Sequence, residues 1–156
     1  SSDLEALADH LKSEATAAAA WTTVGRLRVQ AGDPAAAIEA ARQAQQASPA
    51  AAGPAWIALE LMDPKVPLAE PIVQRYLQQS GAMAEVRLGY ARNLLDAQRY
   101  AEAAAQLEQI VKQSPESADA WLLRGVLQRR LGCSGQRHAR HDFRARPTPP
   151  AGPAPR

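Results

Sequence analysis

The chain has 156 residues, with 18 basic and 16 acidic side chains and a net charge of +2, enough for one domain or a short repeat array. Thirty-five alanines, seven aromatics and few β-branched residues argue against a sheet-dominated fold. The single cysteine excludes an internal disulfide, and no apolar run approaches the ~20 residues that a membrane-spanning helix needs.

From the N-terminus, residues 2–14 read as a helix: Leu7 stands fourteen residues before Trp21, as Leu107 stands fourteen before Trp121, and Lys12 and Lys112 share a second offset. The segment has the pattern of the second helix of a repeat whose first helix is missing, so the array is expected to be a piece of a longer one. Residues 15–20, almost all alanine, lead into the first complete unit, 18–51. Its first helix carries Trp21, Val24, Gly25 and Arg28. Gly32-Asp33-Pro34 supplies a left-handed stop, an N-cap and a first-turn proline. The second helix carries Ala37, Ile38, Ala41 and Ala44 and closes at Ser48-Pro49. Small residues at these points let paired helices approach to ~8–10 Å.

The second unit, 53–83, is irregular. Trp56 and Leu59 open it, but Asp63-Pro64 and Pro67 cut its first helix short. Its second helix, about 68–79, carries Ala69, Val73 and Tyr76. The third, 84–117, places Val86, Tyr90, Ala91 and Leu94 on its first helix. Ala103, Leu107, Ile110 and Val111 follow on its second, which closes at Ser114-Pro115. A half unit, 118–132, carries Trp121, Gly125 and Gly132, with no second helix that fits. The shared repeat place of the three tryptophans predicts that they fill hairpin cores.

From Cys133 the composition changes: five arginines face one aspartate, so 133–156 carries +4 and the rest −2. Five prolines between Pro147 and Pro155 predict a disordered tail. An interruption of the array, as by a frame change in a GC-rich gene, would account for the switch. Any nucleic-acid binding would rest on this tail alone, and nucleic acid is not the expected partner.

A period in the thirties, built from tryptophan, small residues and a closing proline, is a signature of stacked helical hairpins. Trp21, Gly25, Ala37, Ala44 and Pro49 resemble the tetratricopeptide repeat most closely; Trp56, Ala91, Ala103, Pro115, Trp121 and Gly125 continue the resemblance across about 1–132. It implies an all-α fold, a right-handed superhelical stack of antiparallel helix pairs. It also implies a non-enzymatic scaffold that binds a protein or peptide segment in a concave groove lined by first helices. The groove positions carried over are Thr22, Arg26, Val29 and Gln30; Glu85, Leu88, Arg92, Leu95 and Asp96; and Asp119, Leu122, Val126, Arg129 and Arg130. Thr22 and Arg26 stand where the members of the family that grip a chaperone's C-terminal carboxylate use lysine and asparagine, so that reading is disfavoured. Arg26, Arg92 and Arg129 among apolar neighbours suit an acidic segment.

No Gly-rich phosphate loop and no Ser/His/Asp or Cys/His set suggests catalysis. His10 reads as a surface or interface residue. Cys133, His138, His141 and Asp142 are zinc-ligand types, but they lack the paired spacing of a structural site. No metal, cofactor or small-molecule substrate is expected. Two further readings are a docking segment of a larger enzyme or envelope protease complex, and self-association through exposed array ends. Composition leans weakly towards an exported bacterial protein, periplasmic or outer-membrane associated.

Overall fold

The computed structural model describes residues 2–144, 152 and 154, with side chains described up to Gly132 and at 152 and 154. Seven α-helices and no strand are found among the described residues: α1 (Ser2–Gln30), α2 (Pro34–Ala47), α3 (Gly53–Glu60), α4 (Ala69–Leu77), α5 (Ala84–Asp96), α6 (Tyr100–Gln113) and α7 (Ala118–Arg144). Helices α1 and α2, α3 and α4, and α5 and α6 pair off. Each odd-numbered helix also touches the next, so α1, α3, α5 and α7 form a continuous row. On the other side only α2 and α4 touch.

The pairs nest through side chains too small to hold helices apart. Ala37, Ala40, Ala41 and Ala44 of α2 are fully buried, and a Cβ on Gly25 would stand 3.6 Å from that of Ala40. Tyr76, Val73, Val86 and Leu94 fill the main core between α3, α4 and α5, and a smaller cluster around Leu107, Ile110 and Leu127 joins α5, α6 and α7. Ala37→Leu forces three extra carbons into this contact and is expected to cost about 1–3 kcal/mol by overpacking. Chemical denaturation of the variant reads the loss directly, and a wild-type midpoint would refute the α1–α2 register.

Turn chemistry sets the hairpins. At the end of α1, Gly32 adopts φ 76°. The Asp33 amide donates to the Arg28 carbonyl and the Gly32 amide to that of Val29, both at 3.0 Å, a Schellman stop. Asp33 then caps α2 by accepting from the Ala36 amide, with proline in the first turn. The α5–α6 turn repeats this without glycine. Gln98 takes φ 61°, and the Arg99 and Gln98 amides donate to the carbonyls of Leu94 and Leu95 at 2.8 and 3.0 Å.

Three expectations need correction. The segment 2–14 is not a separate helix; it is the first half of the unbroken α1. The joints before α3 and α7 carry Ser48-Pro49 and Ser114-Pro115, whereas residues 13–17 hold no proline or glycine to stop a helix. The tail does not depart from helix at Cys133, because α7 runs on to Arg144. Gly132 is not among the positive-φ glycines, and Cys133-Ser134 offers no capping aspartate and proline like those after Gly32. Residues 145–151, 153, 155 and 156, and the side chains of Cys133, His138, His141 and Asp142, lie outside the described residues.

The tryptophans are the third correction. Trp21, Trp56 and Trp121 are 38%, 39% and 48% exposed. Among the described helices α1 touches only α2 and α3, and the segment 2–14 continues α1 without packing on it. Trp56 lies over the backbone of α5, its ring 3.9 Å from where a Gly89 Cβ would stand. Trp121 donates its indole N–H to the Pro115 carbonyl at 2.7 Å and carries the Arg124 guanidinium 5.3 Å above its ring. The residue at the same repeat place in the third unit is Arg87, and that one is buried, 8% exposed. Its guanidinium donates to the Leu77 carbonyl at 3.0 Å and to Gln106 Oε1 at 2.8 Å. A cation thus closes the C-terminal end of α4, where the helix dipole favours it.

Candidate partner-binding surface

The row of odd-numbered helices carries the groove positions expected from the sequence, and it sorts them into three groups. Thr22, Val29, Leu88, Leu95 and Val126 are half-buried. Thr22 donates its hydroxyl to the Ala18 carbonyl at 2.8 Å, and its methyl would lie 2.7 Å from a Cβ on Gly53. Glycine is therefore needed where α3 begins against α1. Val29 packs on the main core, Leu88 on the smaller cluster, and Leu95 touches both. These apolar side chains hold successive odd-numbered helices together.

Arg26, Gln30, Glu85, Arg92, Asp96, Asp119, Leu122 and Arg129 are exposed. Two of them meet: Arg92 on α5 and Asp119 on α7 form an ion pair at 3.5 Å. Such an exposed pair contributes about 0–1 kcal/mol, so it sets local orientation more than stability. Arg130 turns away from this set, its guanidinium donating to the Tyr100 hydroxyl on α6 at 3.3 Å.

At the α1 end the row opens into a cleft of about 350 Å³ between α1 and the α2–α3 connection. Ala15, Ala18 and Ala19 line it beside the hydroxyl-bearing Thr22 and Thr23, with Arg26 and Gly53 also in the wall. Of the predicted residues, Thr22 and Arg26 come together here. Ser48 and Ala51, also in the wall, come from a connection that sequence spacing treats only as a helix stop. A small, weakly polar wall with one guanidinium can admit an extended backbone and hold one carboxylate by paired N–H donors.

A second cleft, about 510 Å³, lies under the α3–α4 connection between Met62, Val66, Pro67, Asn93 and Arg99. Glu70 and Arg99 in its wall are paired with each other. Glu70 accepts from Arg99 at 3.0 Å and from the Tyr90 hydroxyl at 2.6 Å. Arg99 also donates to Glu102, and Gln74 donates to the Tyr90 oxygen at 3.2 Å. The Arg99 hydrogen bond holds the Glu70 carboxyl below its ordinary value, with a smaller pull from Tyr90 working against burial. Burial, then the hydrogen bond to Glu70, pushes the Tyr90 phenol up to about 12. The network ties α4, α5 and the start of α6 together.

Because the Glu70 pKa is lowered on folding, its contribution is present above the ordinary glutamate range near 4.5 and is lost as pH falls through the lower folded value. The wild-type melting temperature should therefore fall more steeply with acid below that range than that of Glu70→Gln. Parallel pH profiles for the two proteins would contradict the assignment.

This arrangement defines an all-α solenoid of stacked helix pairs. Residues 66–127 match the tetratricopeptide repeat family, which supports tetratricopeptide repeats in that part of the all-helical chain. Such repeats generally mediate protein–protein interaction. No curated protein and no solved structure matches the chain. No helix among the described residues is long and apolar enough to cross a membrane.

Proposed function

We propose that the chain is a non-enzymatic scaffold that holds an extended, carboxylate-bearing segment of a partner protein against the row formed by α1, α3, α5 and α7. The observation that carries this reading is the Arg26-walled cleft between α1 and the start of α3. It lies on the row side of the first hairpin, and Arg26 has no ion pair among the described residues. Arg129 stands exposed and likewise unpaired among them at the far end of the row. Glu70 and Arg99, by contrast, are consumed by each other, which disfavours the larger cleft as the recognition site.

A peptide array graded in carboxylate content tests the reading. Binding should rise with acidic residues in extended sequences. Arg26→Glu should then weaken it about tenfold to a hundredfold, the loss of one charged hydrogen-bonding contact. Equal binding of acidic and basic peptides, or an unaffected Arg26→Glu variant, would count against it.

A further inference from the structure

Among the described residues the faces at the two ends of the stack are uncovered, and the two are chemically opposite. Helix α1 has 29 residues and its partner α2 has 14, so about 15 residues, some 22 Å of helix, overhang the first hairpin. Among the described helices α1 touches only α2 and α3, and every residue from Ser2 to Ser13 is exposed. The overhang is not a polar rod. Leu4, Leu7 and Leu11, at the i, i+3, i+7 spacing of a packing face, are 73%, 54% and 56% exposed. A lone helix this short is marginal in water unless its apolar face is covered.

At the other end, α7 packs on α6 and α5, and none of the described helices folds back onto its opposite side. Gly25 and Gly125 occupy the same repeat place and show the difference. A Cβ at Gly25 would meet Ile57 at 2.9 Å, the Ala37 carbonyl at 3.5 Å and Ala40 at 3.6 Å, whereas one at Gly125 would meet nothing within 4 Å. Beside that empty notch, at i−4 and i−3, Trp121 and Leu122 are 48% and 62% exposed, and Leu131 further along α7 is 47% exposed. The charges are complementary. The overhang carries Asp3, Glu5, Asp9 and Glu14 against Lys12 alone, and α7 up to Gly132 carries Arg124, Arg129 and Arg130 against Asp119 alone.

We infer that a second copy of the chain covers these surfaces: the acidic leucine face of the α1 overhang of one molecule lies in the Gly125 notch of α7 of the next. There it takes the place that α2 takes on α1. The overhang also has the repeat spacing of a second helix, with Leu7 and Lys12 at the offsets of Leu107 and Lys112 in α6. It cannot reach its own α7, since α1 touches neither α5 nor α7. The contact is therefore head to tail and does not close on itself as a two-fold dimer would, so it propagates. It does not draw on the binding reading for the odd-numbered row, and it is measured on the chain alone.

Sedimentation equilibrium of the full chain tests it. At low salt the average mass should climb with concentration without levelling at a dimer. It should fall back as salt shortens the screening length from ~30 Å at 0.01 M to ~10 Å at 0.1 M. Leu7→Glu with Leu11→Glu removes the donor face, and Trp121→Glu with Gln128→Glu, four residues before and three after Gly125, removes the acceptor face. All four positions are exposed, so circular dichroism melting should confirm that both variants fold. Each alone should be monomeric, and an equal mixture should form a one-to-one complex, because each retains the face that the other lacks. A wild-type chain that stays monomeric, a salt-independent association, a limiting dimer with no complex in the mixture, or an overhang variant that still polymerises would each overturn the inference.

Discussion

Leu107→Ala is expected to cost about 2–5 kcal/mol, the usual range for truncating a buried leucine, and the loss should be confined to one end of the stack. Leu107 is fully buried with Ala91, Ile110, Ala120 and Leu127, where α5, α6 and α7 meet. That cluster has few large side chains, so the cavity has few neighbours able to close it. In a linear stack each unit is stabilised by its own core and by its neighbour. The variant should therefore release α6 and α7 before α1 and α2. Urea unfolding followed by circular dichroism should show an added early transition, while amide exchange in α2 stays slow. A loss under about 1 kcal/mol, or simultaneous loosening of every helix, would show that the stack is not built from local interfaces.

Arg87→Ala is expected to cost about 1.5–3 kcal/mol, the range for buried hydrogen bonds to a charged group. Burial lowers the Arg87 pKa, but its donors still satisfy the Leu77 carbonyl at the end of α4 and Gln106 on α6. Removing them leaves two acceptors dry at the junction of the second and third units. Arg87→Met separates the causes, because it keeps the aliphatic stem and loses only the donors. If hydrogen bonding dominates, methionine should be nearly as destabilising as alanine. Near-wild-type stability of Arg87→Met, measured in the same urea series, would assign the effect to packing.

Arg87 also shows where sequence reasoning stops. The spacing of small residues made the all-α stack legible, because Gly25, Ala37, Ala41 and Ala44 face one another only in a helix pair. Spacing alone, however, treated the tryptophan place as core. The three indoles are half-exposed, while the buried occupant of that place is an arginine held by a helix end. No apolar pattern marks such a residue. The one signal was that Arg87 broke the tryptophan series. Gln45 is similar: buried on α2, it donates to the Ile72 carbonyl of α4 at 2.8 Å, and its tie appears only once the units are stacked.

Helix boundaries failed where a stop was inferred by analogy instead of from turn chemistry. Gly32 ends α1 because Asp33 and Pro34 start a new helix after it. Gly132 lacks those neighbours and does not end α7. Gln98 makes the same left-handed turn as Gly32 with a side chain present, so the turn does not require glycine. Of the candidate surface, Thr22, Arg26, Arg92 and Asp119 could be found from repeat position. The Ser48–Gly53 wall of the cleft could not, since it depends on how closely the second unit docks on α1.

A partner can meet the stack on its odd-numbered or on its even-numbered side. Backbone amide exchange, recorded with and without the tightest-binding peptide of the acidic array, measures that directly. Added protection should appear along the exposed residues of α1 between Thr22 and Gln30 and at the start of α3. Protection gained instead on α2, α4 and α6, with the α1 and α3 amides unchanged, would contradict the proposed binding face.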